Sequence, residues 1–258
     1  MHTVDFNKIA IKNGDVLLDL GCGEGRHAMG VLFHAQQVLR ENNTIENGKS
    51  TEPFTPNFKV IAVDLSHKDL CCAKGRHENF DRHASSHCLY TQTMGQHLPF
   101  AAHSFDHVIC SEVLEHIDDY QNFLSEIKRV LKPGGSLNIS VPRSWPEKIC
   151  WRLSSDYHQV EGGHIRIFNS AQLQNEIESL NFTFIGRHWA HALHVPYWWL
   201  RCAFWSRGET FFATRMYHAV LVWDLLKKPK ITRILESLLN PIMGKSTVMY
   251  FSKPEKIS

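Results

Sequence analysis

The sequence predicts an α/β fold, a doubly wound sheet of seven strands with a C-terminal helical insertion before the last strand. Three observations carry this expectation. Short apolar runs alternate with stretches of helical periodicity, a glycine-rich turn joins the first run to the first helix, and the second run ends in an acid.

Val16–Leu20 is an apolar run closing on glycines, the pattern of a strand buried on both faces. A helix is expected over Glu24–Arg40, with Ala28, Val31, Leu32, Ala35, Val38 and Leu39 on one side. Residues 41–58 are polar and rich in Asn, Thr and Pro, which predicts a long, mobile surface loop. Lys59–Asp64 reads as the second strand, with Ser66 placed to cap the following helix. A weak third strand (Cys88–Thr93) and a fourth (Phe105–Ser111) come next. A helix over Tyr120–Leu131 stops before Pro133-Gly134-Gly135. Ser136–Val141, a helix over Gln172–Leu180, and Phe182–Arg187 continue the alternation, which implies a parallel sheet covered on both faces. Residues 191–245 break the rhythm with aromatic, basic, helical segments, and Thr247–Phe251 reads as the last strand. The chain 1–258 is therefore read as one domain, carrying a loop at 41–58 and a cap at 191–245.

Composition narrows the class. A hydrophobic content of 43% with 21% charged residues belongs to a soluble globular protein, and a net charge of +2 gives no reason to expect nucleic acid. Seven scattered cysteines without a CxxC pair suit reduced thiols and a cytoplasmic setting. The first residues lack the apolar core of a signal peptide, and no run reaches the roughly 20 apolar residues of a spanning helix. Attachment to a membrane face stays open.

The sharpest motif is Asp19-Leu20-Gly21-Cys22-Gly23-Glu24-Gly25, between a strand and a helix. Glycines there permit a tight turn and close approach of a ligand to the backbone, and the helix beyond offers free N–H groups. Dinucleotide enzymes use GxGxxG, with a third glycine where this chain has Arg26. The spacing here is DxGxGxG. Asp64, at the tip of the second strand, can accept both hydroxyls of a ribose.

DxGxGxG resembles the motif of the class I S-adenosylmethionine-dependent methyltransferases. Further segments narrow the resemblance to the ubiquinone- and menaquinone-biosynthesis type. These are Gly95-Gln96-His97-Leu98-Pro99-Phe100 with Ser104-Phe105-Asp106, Val113-Leu114-Glu115-His116, Leu131-Lys132-Pro133-Gly134-Gly135, and Gly163-His164-Ile165-Arg166-Ile167-Phe168. They stand in the family's order across about residues 15–190. The resemblance implies a Rossmann-like sheet and S-adenosylmethionine as cofactor, held by Asp19, Gly21, Cys22, Gly23, Gly25, Asp64, Leu65, Met94, Gly95, Gln96, Cys110 and Ser111. One position departs from the family: Met94 stands where an Asp often accepts from the adenine amino group. Backbone contact at Gly95 and apolar packing are expected to hold the ring instead.

Methyl transfer from a sulfonium is an in-line displacement that needs positioning and exclusion of water more than a base. An oxygen nucleophile would gain from a histidine, and His116 and His164 are the candidates, both beyond strand ends on the ligand edge. Each could equally be a loop residue that only orients its segment. His188, His191 and His194 repeat every third residue, but no Cys or carboxylate stands near them in sequence, so no metal is expected.

Residues 187–233 hold five of the seven tryptophans and eight Lys or Arg against two acids. This segment is expected to cover a small or lipid-like acceptor. It could rest on a membrane surface through 191–233, or its aromatics could form the cap's own core. A monomer or dimer is expected. Two rival readings remain: a nicotinamide-dependent oxidoreductase, against which Arg26 speaks, and a non-catalytic protein that binds S-adenosylmethionine.

Overall fold

A computed structural model describes residues 2–47, 54–80, 87–160 and 162–255. Seven strands form one sheet: β1 (Val16–Leu20), β2 (Lys59–Asp64), β3 (Cys88–Gln92), β4 (Phe105–Ser111), β5 (Leu131–Pro142), β6 (Thr183–Ala190) and β7 (Ser246–Ser252). Their spatial order is β3-β2-β1-β4-β5-β7-β6. The order reverses between β1 and β4, which opens a crevice at the carboxyl ends of these strands. Apolar clusters pack both faces. One gathers Leu18, Val108, Ile127 and Leu137, and the other Leu17, Val31, Val60 and Ile109. Neighbouring residues of β1 and β4 therefore serve opposite faces, as two-sided burial requires. The doubly wound α/β fold expected from the sequence is the fold observed.

The helices are α1 (Arg26–Asn47), α2 (His67–Phe80), α3 (Tyr120–Val130), α4 (Ser144–Leu153), α5 (Asp156–Gln159), α6 (Ser170–Ser179), α7 (Val195–Ala203), α8 (Phe212–Lys227) and α9 (Lys230–Met243). The last three fill most of residues 191–245, and α4 and α5 follow β5.

Three expectations need correction. The sheet is mixed, because β7 pairs antiparallel with both β5 and β6. The cause lies in the connection. Helix α9 ends at the crevice, and only Gly244 and Lys245 separate it from Ser246, which pairs with Pro142 at the end of β5. No chain is left to cross back to the far edge, so β7 enters from the carboxyl side. The loop expected at 41–58 is helical as far as Asn47. Asn42, Asn43 and Thr44 lie on a largely exposed extension of α1, where Gln37 donates to Glu41 at 2.9 Å and the Thr44 hydroxyl donates to the Arg40 carbonyl at 2.9 Å. Composition there measured exposure rather than irregularity. Residues 48–53 of that expected loop lie outside the described residues, and 54–58 are non-helical. Finally, β6 runs on to Ala190 and takes in His188 and Trp189.

The tryptophans of 187–233 divide. Trp198, Trp199 and Trp205 pack with Trp151 around buried Cys150, Tyr157 and Cys202, joining α7 to α4. Trp199 Nε1 also donates to the Pro146 carbonyl at 3.2 Å. These aromatics form the cap's own core. The outer surfaces of α8 and α9 are another matter. They leave Leu226 at 73% and Leu238 at 65% exposure, along with Phe212, Met216, Ile231 and Ile242.

That contrast predicts two different stability responses. Leu137→Ala, in the buried face of β5, should cost about 2–5 kcal/mol by urea denaturation. Leu238→Ala should stay within about 0.5 kcal/mol of the wild type.

Candidate active site

The turn after β1 is fixed by its neighbours. The Gly21 and Cys22 N–H groups both donate to the Val63 carbonyl, at 2.8 and 2.9 Å. Gly21 has φ +74, and a Cβ there would lie 2.3 Å from Val113 Cγ2, so no larger residue fits. Gly23, at φ +51, has open space where a side chain would be. Its N–H donates to Asp64 Oδ2 at 2.7 Å, while Ser66 N–H donates to Asp64 Oδ1 at 2.8 Å. Asp64 thus clasps the glycine turn of β1 to the end of β2. A carboxylate has about four acceptor positions, so two remain for a ligand diol.

Asp19 lies beneath the turn at 1% exposure, and its Oδ2 has no hydrogen-bond partner. Burial pushes its carboxyl up to about 7, against the Ala28 N–H and the Arg26 charge, with Asp64 adding to the rise. A cavity of about 690 Å³ opens beside the turn, lined by Gly21, Cys22, Gly23, Arg26 and Ser111, and continues along α1 past Met29 and Phe33. Asp64, Leu65, Met94, Gly95 and Gln96 do not line it. They form a shelf at the ends of β2 and β3, on which the Leu65 and Met94 side chains lie exposed. Gly95 is sterically required, since a Cβ there would meet the Phe123 ring at 2.0 Å. Of the positions expected to touch cofactor, Cys110 stands apart. Its side chain is fully buried in the core, so its thiol does not reach the site.

An open glycine, an acid with spare acceptor positions, a buried carboxyl with one unpartnered oxygen and an apolar shelf suit a cationic amino-acid nucleoside. They offer nothing shaped for a pyrophosphate.

The two candidate histidines come together. Their ring centroids are 5.1 Å apart, and Ile165 N–H donates to the Glu115 carbonyl at 3.0 Å, which ties their two segments. His116 Nδ1 lies 3.1 Å from the Gly163 carbonyl. A carbonyl only accepts, so Nδ1 holds the proton and Nε2 keeps its lone pair. Burial moves the His116 ring below its ordinary pKa, which favours that neutral form. His164 Nδ1 meets Glu147 Oε1 at 2.6 Å. Burial alone would raise the Glu147 carboxyl, but His164 and Lys245 outweigh it and hold the group below its usual range. His164 therefore donates through Nδ1 to a carboxylate and presents Nε2. Trp151 Nε1 and the Tyr157 hydroxyl also donate to Glu147, at 3.1 and 3.4 Å.

Glu147 and Tyr157 were not anticipated. They sit on α4 and α5, where Pro146 and Glu147 in the first turn of α4 were the legible helix signal. Glu115 is fully buried with neither carboxyl oxygen partnered. Burial, then the nearby Glu112 charge, moves its pKa far upward, so it stays a neutral acid. Glu112 itself takes φ +57 at the end of β4, where it accepts from the Ser140 hydroxyl at 2.9 Å.

Carboxylates do stand near the histidines that follow β6. Glu236 of α9 lies with His191 and His194, their ligating atoms within 4.8 Å of one another, and Glu115, His116 and His164 make a similar group. His188 instead meets the Thr3 carbonyl and the Tyr250 hydroxyl, each at 3.2 Å.

A family model described as a methyltransferase domain matches residues 3–185. The chain belongs to that family. The demethylmenaquinone methyltransferase of Lactobacillus johnsonii is 32% identical over 169 residues, covering 62% of this chain and 60% of that protein. The chain therefore spans less than two thirds of that relative. Among solved structures, the YcgJ protein of Bacillus subtilis superposes with a TM-score of 0.58 at 17% identity, covering 97% of this chain and 96% of that one. The cyclase SpnF gives 0.59 at 17% identity, covering 96% and 79%. At these identities the structural likeness establishes the fold alone. Among the described residues, no helix is long and apolar enough to cross a membrane.

Asp19 makes a prediction about pH. An acid whose pKa rises on folding contributes stability that is complete below its unfolded value near 3.8 and is lost as pH climbs through about 7. The protein alone should lose stability across that window, and Asp19→Asn should flatten the slope. Parallel thermal melts from pH 4 to 8 check it, and equal slopes for the two proteins would remove Asp19 as the cause.

Proposed function

We propose that this chain binds S-adenosylmethionine and transfers its methyl group to a small, lipid-like acceptor held between the crevice and the cap. The observation that carries the reading is the Asp64–Gly23 clasp, which leaves an acid and an open glycine facing the crevice of a methyltransferase-family fold. The cofactor supplies a methyl group already activated as a sulfonium. The turn Gly21–Gly25 and Asp64 would hold its amino-acid and ribose portions, and Leu65 and Met94 would cover the base.

The chain's own task is orientation and exclusion of water. His164 Nε2, oriented by Glu147, is the group suited to take a proton from an oxygen acceptor, and His116 Nε2 stands beside it. The nicotinamide reading loses ground on the chemistry of the donor set, since Arg26 occupies the place of the third glycine. The other rival, a non-catalytic protein that binds S-adenosylmethionine, is separated from this reading by turnover of labelled cofactor.

Calorimetry with S-adenosylmethionine, its demethylated product and a nicotinamide dinucleotide tests the reading. The first two should bind one to one and the dinucleotide should not. Gly21→Ala should weaken binding at least about tenfold, roughly 1.4 kcal/mol, because the new methyl group collides with Val113. Failure of the folded wild-type protein to bind either nucleoside ends the proposal. Label from the cofactor entering the lipid fraction of an extract supports the acceptor class, and label in polar metabolites alone refutes it.

The proposal extends to where the acceptor is met. Helices α8 and α9 are built inside out. Their buried residues include Thr214, Asp224, Thr232 and Glu236, while the Phe212-Met216-Val220 and Ile231-Ile234-Leu238-Ile242 stripes face outward. Asp224 accepts from Thr232 and from Arg233, which locks the pair through polar contacts. Both acids of 212–243 are buried, whereas Arg215, Lys227, Lys228, Lys230 and Arg233 are exposed. Apolar stripes fringed by cations suit an anionic lipid surface. Flotation should carry the protein with phosphatidylglycerol vesicles more than with phosphatidylcholine, and Ile231→Asp/Leu238→Asp should abolish it. A protein that stays in the soluble fraction with both lipids overturns this part.

A further inference from the structure

The residues that close the cap against the amino-terminal segment form a second polar cluster, separate from His116 and His164. We propose that His191, His194 and Glu236 bind a divalent transition-metal cation of the zinc class. Three features of the cluster support this independently of the methyltransferase reading.

The first is donor chemistry in the right number. Two imidazoles and one carboxylate have ligating atoms within 4.8 Å of one another. Two histidines with an acid suit zinc and its first-row neighbours rather than calcium or magnesium, which prefer oxygen alone. Metal–ligand bonds near 2.1 Å place tetrahedral ligands about 3.4 Å apart, a closure that side-chain rotation supplies. The backbone arranges the set. His191 takes φ +66 after β6 and starts the 3-10 turn Ala192–His194, which brings the two rings to 5.4 Å. Glu236 arrives from the middle of α9, on the side of that helix turned inward.

The second feature is what the donor atoms lack. His194 Nδ1 and Glu236 Oε1 are both buried without a hydrogen-bond partner. Leaving a buried polar atom unsatisfied is costly, more so when it is charged. Glu236 Oε1 faces His191 Nδ1 at 3.9 Å, too far for a hydrogen bond yet close for two atoms that could share an ion.

The third feature is the surroundings. His191 Nε2 meets the Thr3 hydroxyl at 3.1 Å, the kind of outward contact that orients metal-bound imidazoles. Three cationic side chains near the cluster have partners of their own. Arg233 is paired with Asp224 at 2.7 Å, Lys245 lies 3.7 Å from Glu112, and Arg26 donates to Thr3 Oγ1 at 3.3 Å. A cavity of about 580 Å³ borders the cluster at His191 and Glu236, and gives water access to a fourth coordination position. An ion here would join α9 to the end of β6. Through Thr3 and Arg26 it would also couple the cap to the wall of the cofactor cavity.

The experiment uses the full chain carrying Cys71→Ser, which removes the exposed His67–Cys71 pair (3.6 Å) as a competing surface site. Chelator-stripped protein is titrated with Zn²⁺ against a chromogenic chelator and, separately, with Co²⁺ under visible absorption. One equivalent is expected, with the intense visible bands of four-coordinate cobalt. Glu236→Gln and His194→Gln should each weaken binding at least about tenfold, while His164→Gln retains it. Far-UV circular dichroism checks that the variants fold. Should one fail to fold, the cobalt spectrum of the Cys71→Ser protein still decides. An octahedral spectrum, or no stoichiometric binding, overturns the proposal. So does binding that survives Glu236→Gln and His194→Gln yet is lost with His164→Gln, which would move the ion to the cluster at Glu115.

Discussion

One carboxylate holds the functional end of this fold together. Asp64 accepts from Gly23 and from Ser66, so the glycine turn after β1 and the helix after β2 are positioned by the same side chain. The sheet itself brings those two ends side by side, because β1 and β2 pair in parallel through Leu20 and Val63. The clasp converts that proximity into a rigid lip. Backbone N–H groups would otherwise point at water here, and at a crevice they would be loose. With Asp64 in place the turn is preformed, and ligand binding need not order it at the cost of backbone entropy, of order 1–2 kcal/mol per residue.

The crevice collects acids, and the fold treats them differently. Asp64 is satisfied by backbone donors. Glu147 is satisfied by His164, Trp151 and Tyr157, and stays charged. Asp19 and Glu115 are buried with unpartnered oxygens, and both are pushed toward the neutral form. With Glu147 held toward its charged form and Asp19 and Glu115 pushed toward the neutral one, a single ligand edge separates roles that sequence alone would assign to "acid" without distinction. A cationic ligand would change the balance most at Asp19, whose shift leaves it near half ionised around neutral pH.

Much of the fold was legible because two-sided burial leaves an unmistakable trace. Val16–Leu20, Lys59–Asp64 and Phe105–Ser111 were read with their observed bounds. What could not be read was decided by chain geometry or by exposure. The reversal of β7 follows from a two-residue connection after α9, which no periodicity reports. The end of α1 is polar because it is exposed, and polarity imitates a loop. The cofactor residues were legible because they lie close in sequence to strand ends, although Cys110 shows how a neighbour one position back faces the core instead of the site. Glu147 and Glu236 were not legible, since their partners His164 and His191 are distant along the chain and meet them only through the packing of α4 and α9.

The cap repeats this division between what faces the site and what faces outward. Trp198 and Trp199 pack against α4, the helix that carries Glu147, so the aromatic mass stiffens the wall in which His164 sits. Arg143, at the start of that wall, lies over the Trp189 ring at 5.0 Å and donates to the Pro241 carbonyl at the end of α9. Helix α9 is thereby anchored at its carboxyl end, while the outward stripes of α8 and α9 stay exposed. In water alone, a pair of helices with Asp and Thr inside and Leu and Ile outside would be the wrong way round. The arrangement makes physical sense when the outer surface meets an apolar phase. In that setting the contacts of Asp224 with Thr232 and Arg233 give specificity to the turn from α8 into α9, where apolar packing would compete with lipid.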